Sequence, residues 1–193
     1  MKTSVSFILI ALLICLSSTV NKQETEFECK LTSSKMVYEL GEIPAVNVSI
    51  KNNSPNDIYL IPGLDGSEVK WRKPFCYFTI VNPRKDTVNI NNGRCKFMNQ
   101  LREEDFIKVK EKATFNPYTY PEGQEFTTYY ANGNKENFKQ PGKYQLTFHY
   151  STNSNDIREF IGMGTTNSNL DSLFKQIPKL ELSSNTIEIE IKR

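Results

Sequence analysis

Hydrophobic and polar residues alternate along much of the chain after position 27. The clearest alternating runs are 27–31, 46–50, 144–150 and 187–191. A period of two residues is typical of a β-strand with one buried face and one face in water. Further strands are predicted at 58–61, 75–81, 87–91, 95–98, 106–109 and 125–130. Many short strands without helices between them predict an all-β, antiparallel fold rather than one that alternates strands and helices.

Turn-forming residues separate these predicted strands. Asn92-Gly93 is the strongest of these signals, because both positions of a type I′ hairpin turn require a positive φ. Pro62-Gly63 and Asn116-Pro117 mark other reversals. No repeat or linker divides the chain, so the pattern predicts one domain.

One segment, residues 152–183, departs from the alternation. Its 32 residues are far more than a hairpin loop needs. Ser168 or Asn169 is a candidate cap for a short helix, and Pro178 ends it. The apolar residues at helical spacing in this stretch are Leu170, Leu173, Phe174 and Ile177. They predict either a lid over one end of the fold or the base of a recognition loop.

The sequence Pro141-Gly-Lys-Tyr144 precedes an alternating strand. It resembles the tyrosine corner that opens strand F of immunoglobulin-type sandwiches. The order of motifs from 27 to 150 is similar to that of Ig-like domains of secreted bacterial proteins, including the sandwich that precedes deuterolysin-like metalloprotease domains. The resemblance implies an antiparallel Ig-like or fibronectin-III-like β-sandwich. Together with the helix that the spacing predicts, we expect a single domain of this fold over 21–193, with one short helix in a long loop near the C-terminus. The protease motif His-Glu-x-x-His is absent from the sequence.

The first twenty residues have the pattern of a signal peptide. Lys2 precedes ten apolar residues at 7–16, and small polar residues follow. Ten residues span only about 15 Å as a helix, which is half of a bilayer core. We therefore expect cleavage near residue 20 and a secreted or periplasmic domain at 21–193. In an alternative, Cys15 receives a lipid that anchors the protein to the cell envelope, because residues 12–15 resemble a bacterial lipobox, although Ile14 departs from it.

Composition and charge argue against several classes of function. The 24 Lys and Arg residues and 22 Asp and Glu residues nearly balance, so binding to nucleic acid is not expected. His149 is the only histidine, and its position in the alternation places it on the polar face of its strand. Adjacent acids at 103–105 are typical of a solvated loop. We expect no enzymatic activity, no cofactor and no metal site.

Three cysteines follow the predicted signal peptide: Cys29, Cys76 and Cys95. An exported chain permits a disulfide, and three cysteines allow three single pairings. Cys76–Cys95 closes the shortest loop, and a disulfide that closes a loop of this size stabilises a protein by about 3 kcal/mol. We favour this pairing.

Aromatic and apolar residues supply the candidate binding positions. Our first hypothesis is a non-catalytic module that binds a protein or another partner at the cell surface through Phe160, Ile161 and Met163 in the long loop. In the second, Tyr118 and Tyr120, which we expect to be exposed between Pro117 and Pro121, bind carbohydrate, together with Trp71. The third hypothesis is an inhibitor of an exported protease.

Overall fold

Ten β-strands dominate the part of the chain that the computed structural model describes, residues 25–88, 98–118 and 135–193. The strands are β1 (Phe27–Ser33), β2 (Val37–Glu39), β3 (Val46–Asn52), β4 (Ile58–Leu60), β5 (Phe75–Val81), β6 (Ile107–Val109), β7 (Thr114–Phe115), β8 (Gly142–Ser151), β9 (Glu181–Ser183) and β10 (Ile187–Lys192). One α-helix, α1 (Ser168–Phe174), and short 3-10 helices at Glu103–Asp105, Lys135–Phe138 and Ile157–Glu159 complete this part.

The strands form three sheets. The first has the order β1-β3-β7, and the second has the order β2-β10-β8-β5, with β9 also paired to β8. The third sheet contains only β4 and β6. Every pair of strands is antiparallel except β2 with β10, which is parallel. The mostly antiparallel β-fold predicted from the sequence is confirmed, and the β2–β10 pair is a correction to a purely antiparallel arrangement.

Most of the long alternating runs form the strands that they predict. β1, β3, β4, β5, β6, β8 and β10 lie at predicted positions, whereas β2, β7 and β9 were not predicted. Of the predicted strand at 87–91, Thr87 forms an isolated bridge with Val81. The predicted turn at Asn92-Gly93, the strand at 125–130 and nearly all of the one at 95–98 lie outside the described residues.

One main hydrophobic core unites the three sheets. Every second residue of β8 is buried, as period-two alternation requires: Tyr144, Leu146, Phe148 and Tyr150. They pack with residues of the other sheets, among them Leu31, Val48, Ile50, Leu60, Val109 and Phe115. Because strands of each sheet contribute, no sheet buries its apolar face alone.

Two buried tyrosines of β8 attach loops to this core through their hydroxyl groups. The Tyr144 hydroxyl donates to the Gln140 carbonyl at 3.0 Å and accepts from the Gln140 N–H at 3.2 Å. Both backbone groups of Gln140 are therefore bonded to the Tyr144 hydroxyl. At the other end of β8, the Tyr150 hydroxyl donates to the Ile61 carbonyl at 2.9 Å and accepts from the Ile61 N–H at 3.3 Å. This second attachment holds the chain that leaves β4.

Candidate functional site

The long loop at 152–183 packs against the rest of the protein through a second hydrophobic core. Leu170 and Ile177 of the helical stretch are buried, as the helical spacing predicts, and Leu173 and Phe174 are half-buried. They meet residues from the loops after β4 and before β6: Ile61, Leu64, Leu101 and Phe106. The cap of the helix is Asn167, which lies before both predicted caps. Its side chain accepts from the Leu170 N–H at 2.9 Å.

The structure corrects the predicted apolar tip at 160–163. Phe160 is fully buried and Ile161 is only 9% exposed, so neither is available to a partner. Phe160 is buried because its ring packs edge to face on Phe174, at 5.1 Å between ring centroids. Met163 is 66% exposed and is the one predicted tip residue that reaches solvent.

Arg72 joins three loops at this end of the protein. Its buried guanidinium donates to the Asn99 carbonyl and, at 2.6 Å, to the Phe160 carbonyl. The Lys73 N–H donates to the Glu159 carbonyl at 2.9 Å, which adds a backbone link between two of these loops. We call loops 70–74, 98–101 and 159–164 together the three-loop tip.

Two exposed apolar side chains lie on the three-loop tip. Trp71 is 50% exposed and precedes Arg72, and Met163 follows Gly162. Gly162 has a φ of +62°, and a Cβ there would lie 2.7 Å from both the Arg72 Nη1 atom and the Asn99 carbonyl oxygen. Only glycine fits this close approach without a shift of the backbone. The tip is therefore held in place by Arg72 beneath it while Trp71 and Met163 face solvent.

The prediction that Tyr118 is exposed is wrong. Its ring is 8% exposed, stacks on Phe78 with centroids 6.1 Å apart and meets Phe148 edge to face at 5.6 Å. The turn after β7 directs it inward, because the Asn116 side chain accepts from the Tyr118 N–H at 2.9 Å. The Tyr118 hydroxyl has no hydrogen-bond partner in the described structure, and burial raises its pKa well above the usual range. Tyr120 lies outside the described residues.

The two cysteines in the described ranges, Cys29 and Cys76, form no disulfide with each other. Burial raises the pKa of Cys29 to about 12, and burial, followed by the interactions with Glu68 and Cys29, raises the pKa of Cys76 well above its usual value. Both are protonated at neutral pH and poor nucleophiles. Cys15 and Cys95 lie outside the described residues, so the lipid anchor and the Cys76–Cys95 pairing stay predictions, as does the signal peptide at 1–20.

His149 is half-buried, and it lies between two hydroxyl groups. The sequence did not predict either of these contacts. Its Nδ1 atom is 2.9 Å from Ser183 Oγ of β9, and its Nε2 atom is 3.0 Å from Thr79 Oγ1 of β5. The ring stacks on Tyr77 at 4.7 Å between centroids. Burial, and then the charge of Lys70, lowers the pKa of His149, so the neutral ring donates with one nitrogen and accepts with the other.

This histidine resembles a Ser–His pair, but its surroundings oppose proton abstraction. A general base becomes an imidazolium, which a carboxylate on the second nitrogen stabilises. Here that position holds the Thr79 hydroxyl, and the nearby Lys70 charge destabilises a cation. The arrangement instead links β5, β8 and β9 across the polar face of the second sheet.

A groove of about 410 Å³ opens within the long loop, between residues 152–157 and 171–179. Its most deeply buried lining residues are Thr152 and Ile177. The Thr152 hydroxyl donates to the Pro178 carbonyl at 2.7 Å and accepts from the Leu180 N–H at 3.0 Å, so it joins the two walls. The half-buried Phe174 ring also lines the groove.

No known protein family, curated protein or solved structure matches this chain. Across 25–88, 98–118 and 135–193, no helix has the length and hydropathy to span a membrane. Within these same ranges, no group of three or more His, Cys, Asp or Glu side chains is placed to hold a metal ion.

Proposed function

We propose that this protein is an exported, non-catalytic Ig-like β-sandwich that binds a protein partner through the three-loop tip. The observation that carries the proposal is the exposure of Trp71 and Met163 on loops held by Arg72. Export rests on the N-terminal sequence pattern.

The sandwich arrangement is supported by contacts between the first two sheets. Leu31 and Ile50 of the first sheet share a core with Phe148 of the second. The Asn185 side chain, between β9 and β10, makes hydrogen bonds to both backbone groups of Leu31 in β1, as the backbone of a neighbouring strand would. Its Oδ1 atom accepts from the Leu31 N–H at 2.9 Å, and its Nδ2 atom donates to the Leu31 carbonyl at 3.0 Å.

Binding through the tip follows from the chemistry of its two exposed side chains. Tryptophan is enriched among the residues that dominate binding energy in protein interfaces, and methionine adapts to irregular apolar surfaces. The loops that carry Trp71 and Met163 are already attached to a buried Arg72, so little ordering is needed when a partner binds. Two exposed apolar side chains on loops held in this way suit a protein surface.

The carbohydrate hypothesis loses part of its support at the predicted position. A flat aromatic platform built on Tyr118 requires an exposed ring, and the Tyr118 ring lies in the core. Of the two aromatic residues of this hypothesis that the structure describes, Tyr118 and Trp71, only Trp71 has an exposed ring. A protein partner is therefore the first proposal for the tip.

The test compares two double variants with the purified wild-type protein. Trp71→Ala with Met163→Ala removes the exposed pair, and Met36→Ala with Leu40→Ala removes two similarly exposed apolar side chains near β2. Each protein is used to capture partners from the exported fraction of its native cells, and the affinity for the captured partner is then measured.

Truncating a dominant interface residue costs about 2 kcal/mol or more, which is about 30-fold in affinity. We expect this loss for the tip variant and unchanged affinity for the Met36 and Leu40 control. Equal binding by both variants would contradict the proposal. A captured protease that loses activity on binding would make the protein an inhibitor.

A further inference from the structure

The groove between 152–157 and 171–179 holds charged groups without partners. The Asp171, Lys175 and Lys179 side chains line it, and none has an ion pair or side-chain hydrogen bond within the described ranges. Asp156 also lines it, but the Arg158 guanidinium neutralises that carboxylate, at 2.8 Å between Nη2 and Oδ2. Two free ammonium groups therefore face one free carboxylate, and the groove favours an anionic ligand.

The remaining lining groups favour a hydroxylated ring over a simple inorganic anion. Phe174 and Ile177 provide an apolar surface at the base, and the Asn155 amide at the rim has no side-chain hydrogen bond in the described part of the chain. Asp171 accepts hydrogen bonds, the lysines donate them, and the amide does both. The lining is more polar than apolar, which suits a ligand that carries hydroxyl groups, and about 410 Å³ is within the usual size range of small-molecule sites.

Hydrogen bonds and buried side chains hold both walls of the groove in place. The Thr152 hydroxyl joins both walls, and Leu170 and Ile177 anchor the helical wall in the second core. A site held in this way loses little entropy on binding.

From these observations we propose that the groove binds an anionic saccharide, with a sugar ring against Phe174 and its carboxylate at Lys175 and Lys179. The Asn155 amide and the Asp171 carboxylate bond the sugar hydroxyls. This site is separate from the three-loop tip in the residues that it uses, so it does not rest on the proposed protein-binding function.

The test uses two probes that share one sugar skeleton, digalacturonic acid and its neutral dimethyl ester, which lacks the two negative charges and carries two ester methyl groups. Binding of each to the purified protein is followed by saturation-transfer NMR and calorimetry. We expect the acid to bind about fivefold more tightly than the ester, the factor for two unit charges about 4 Å apart in water. Added salt should reduce this preference, because the groove is open to solvent.

Two variants and one control locate the site. Lys175→Gln with Lys179→Gln should abolish the preference for the acid. Asp171→Asn should increase the preference for the acid over the ester, because losing the charged acceptor weakens the hydrogen bond to the sugar hydroxyl in both ligands, while losing the repulsion favours the acid alone. Lys30→Gln with Lys51→Gln, exposed on β1 and β3, makes the same change in net charge and should have no effect.

Several results would overturn the inference. These are absence of binding by both sugars, equal binding of acid and ester, or equal losses in the groove variant and the Lys30 and Lys51 control. Binding of an acidic peptide without binding of either sugar would also refute a saccharide ligand. Trp71→Ala with Met163→Ala should leave sugar binding unchanged, so failure here and failure of the tip proposal are distinguishable.

Discussion

Replacing residues 155–179 by a short Gly/Ser linker should unfold the protein. The replacement removes four buried apolar side chains, Phe160, Ile161, Leu170 and Ile177. Burying a side chain of this size contributes about 1.5–3 kcal/mol, so the loss is about 6–12 kcal/mol. A typical domain has about 5–15 kcal/mol of stability in total. Shortening the loop recovers little of this free energy, because the entropic cost of closing a loop changes by only about 0.6 kcal/mol per doubling of its length.

Point variants measure the same effect without deleting a segment. Leu170→Ala should lower the free energy of unfolding by about 2–5 kcal/mol, because the side chain is buried and leaves a cavity. Met163→Ala, seven residues away and exposed, should change it by no more than about 0.5 kcal/mol.

Urea unfolding followed by two probes provides the assay. Trp71 is the only tryptophan, so its fluorescence reports on the three-loop tip, whereas far-ultraviolet circular dichroism reports on the strands. Coincident transitions in both probes indicate that the second core unfolds with the first. A linker variant that unfolds cooperatively at the wild-type midpoint would refute the reasoning, and the long loop would then be independent of the fold.

Three further predictions concern single hydroxyl or imidazole groups. Tyr144→Phe should destabilise the protein by about 1–3 kcal/mol, because it leaves the Gln140 backbone groups without their partner. Thermal unfolding measures the change, and Tyr77→Phe, which should have a smaller effect, is the control. Tyr118→Phe should stabilise it by about 1 kcal/mol, since the buried hydroxyl has no partner in the described residues; a lower melting temperature would contradict this. Because the pKa of His149 is lowered by burial and then by Lys70, its stabilising contribution is present above the unfolded pKa of about 6.5 and decreases as the pH falls towards the folded value. The wild type should therefore lose more stability than His149→Gln between pH 7 and pH 5, and parallel pH profiles would contradict the assignment.

The sequence predicts strands best where alternation is long enough to define a face. β5 and β8 contain seven and ten residues, and their apolar positions leave one register that buries them. β2, β7 and β9 contain three residues or fewer and lack the apolar runs that predict the equally short β4 and β6. Their pairing is decided by strands distant in the chain. For example, β9 pairs with residues 149–151 of β8, next to the residues of β8 that pair with β10.

The direction of individual side chains in loops is less predictable than the strands. Flanking prolines suggest an exposed Tyr118, but a single hydrogen bond from its N–H to the Asn116 side chain turns the ring into the core. Phe160 and Ile161 are predicted to bind a partner, yet both are buried beside Gly162, which approaches Arg72 closely. Both errors arise because the sequence does not show which distant group a loop residue meets.

The long loop has a buried side, as a lid over one end of the fold requires, and an exposed side that the two proposed binding roles use. Its inward side, with Leu170 and Phe160, belongs to the second core, while its outward side carries Met163 and the groove beside Lys175. A segment anchored in this way presents exposed groups at a fixed geometry, which a flexible loop of the same length does not. Variants that probe binding must therefore change only outward residues, because a change of the inward ones confounds loss of binding with loss of the fold.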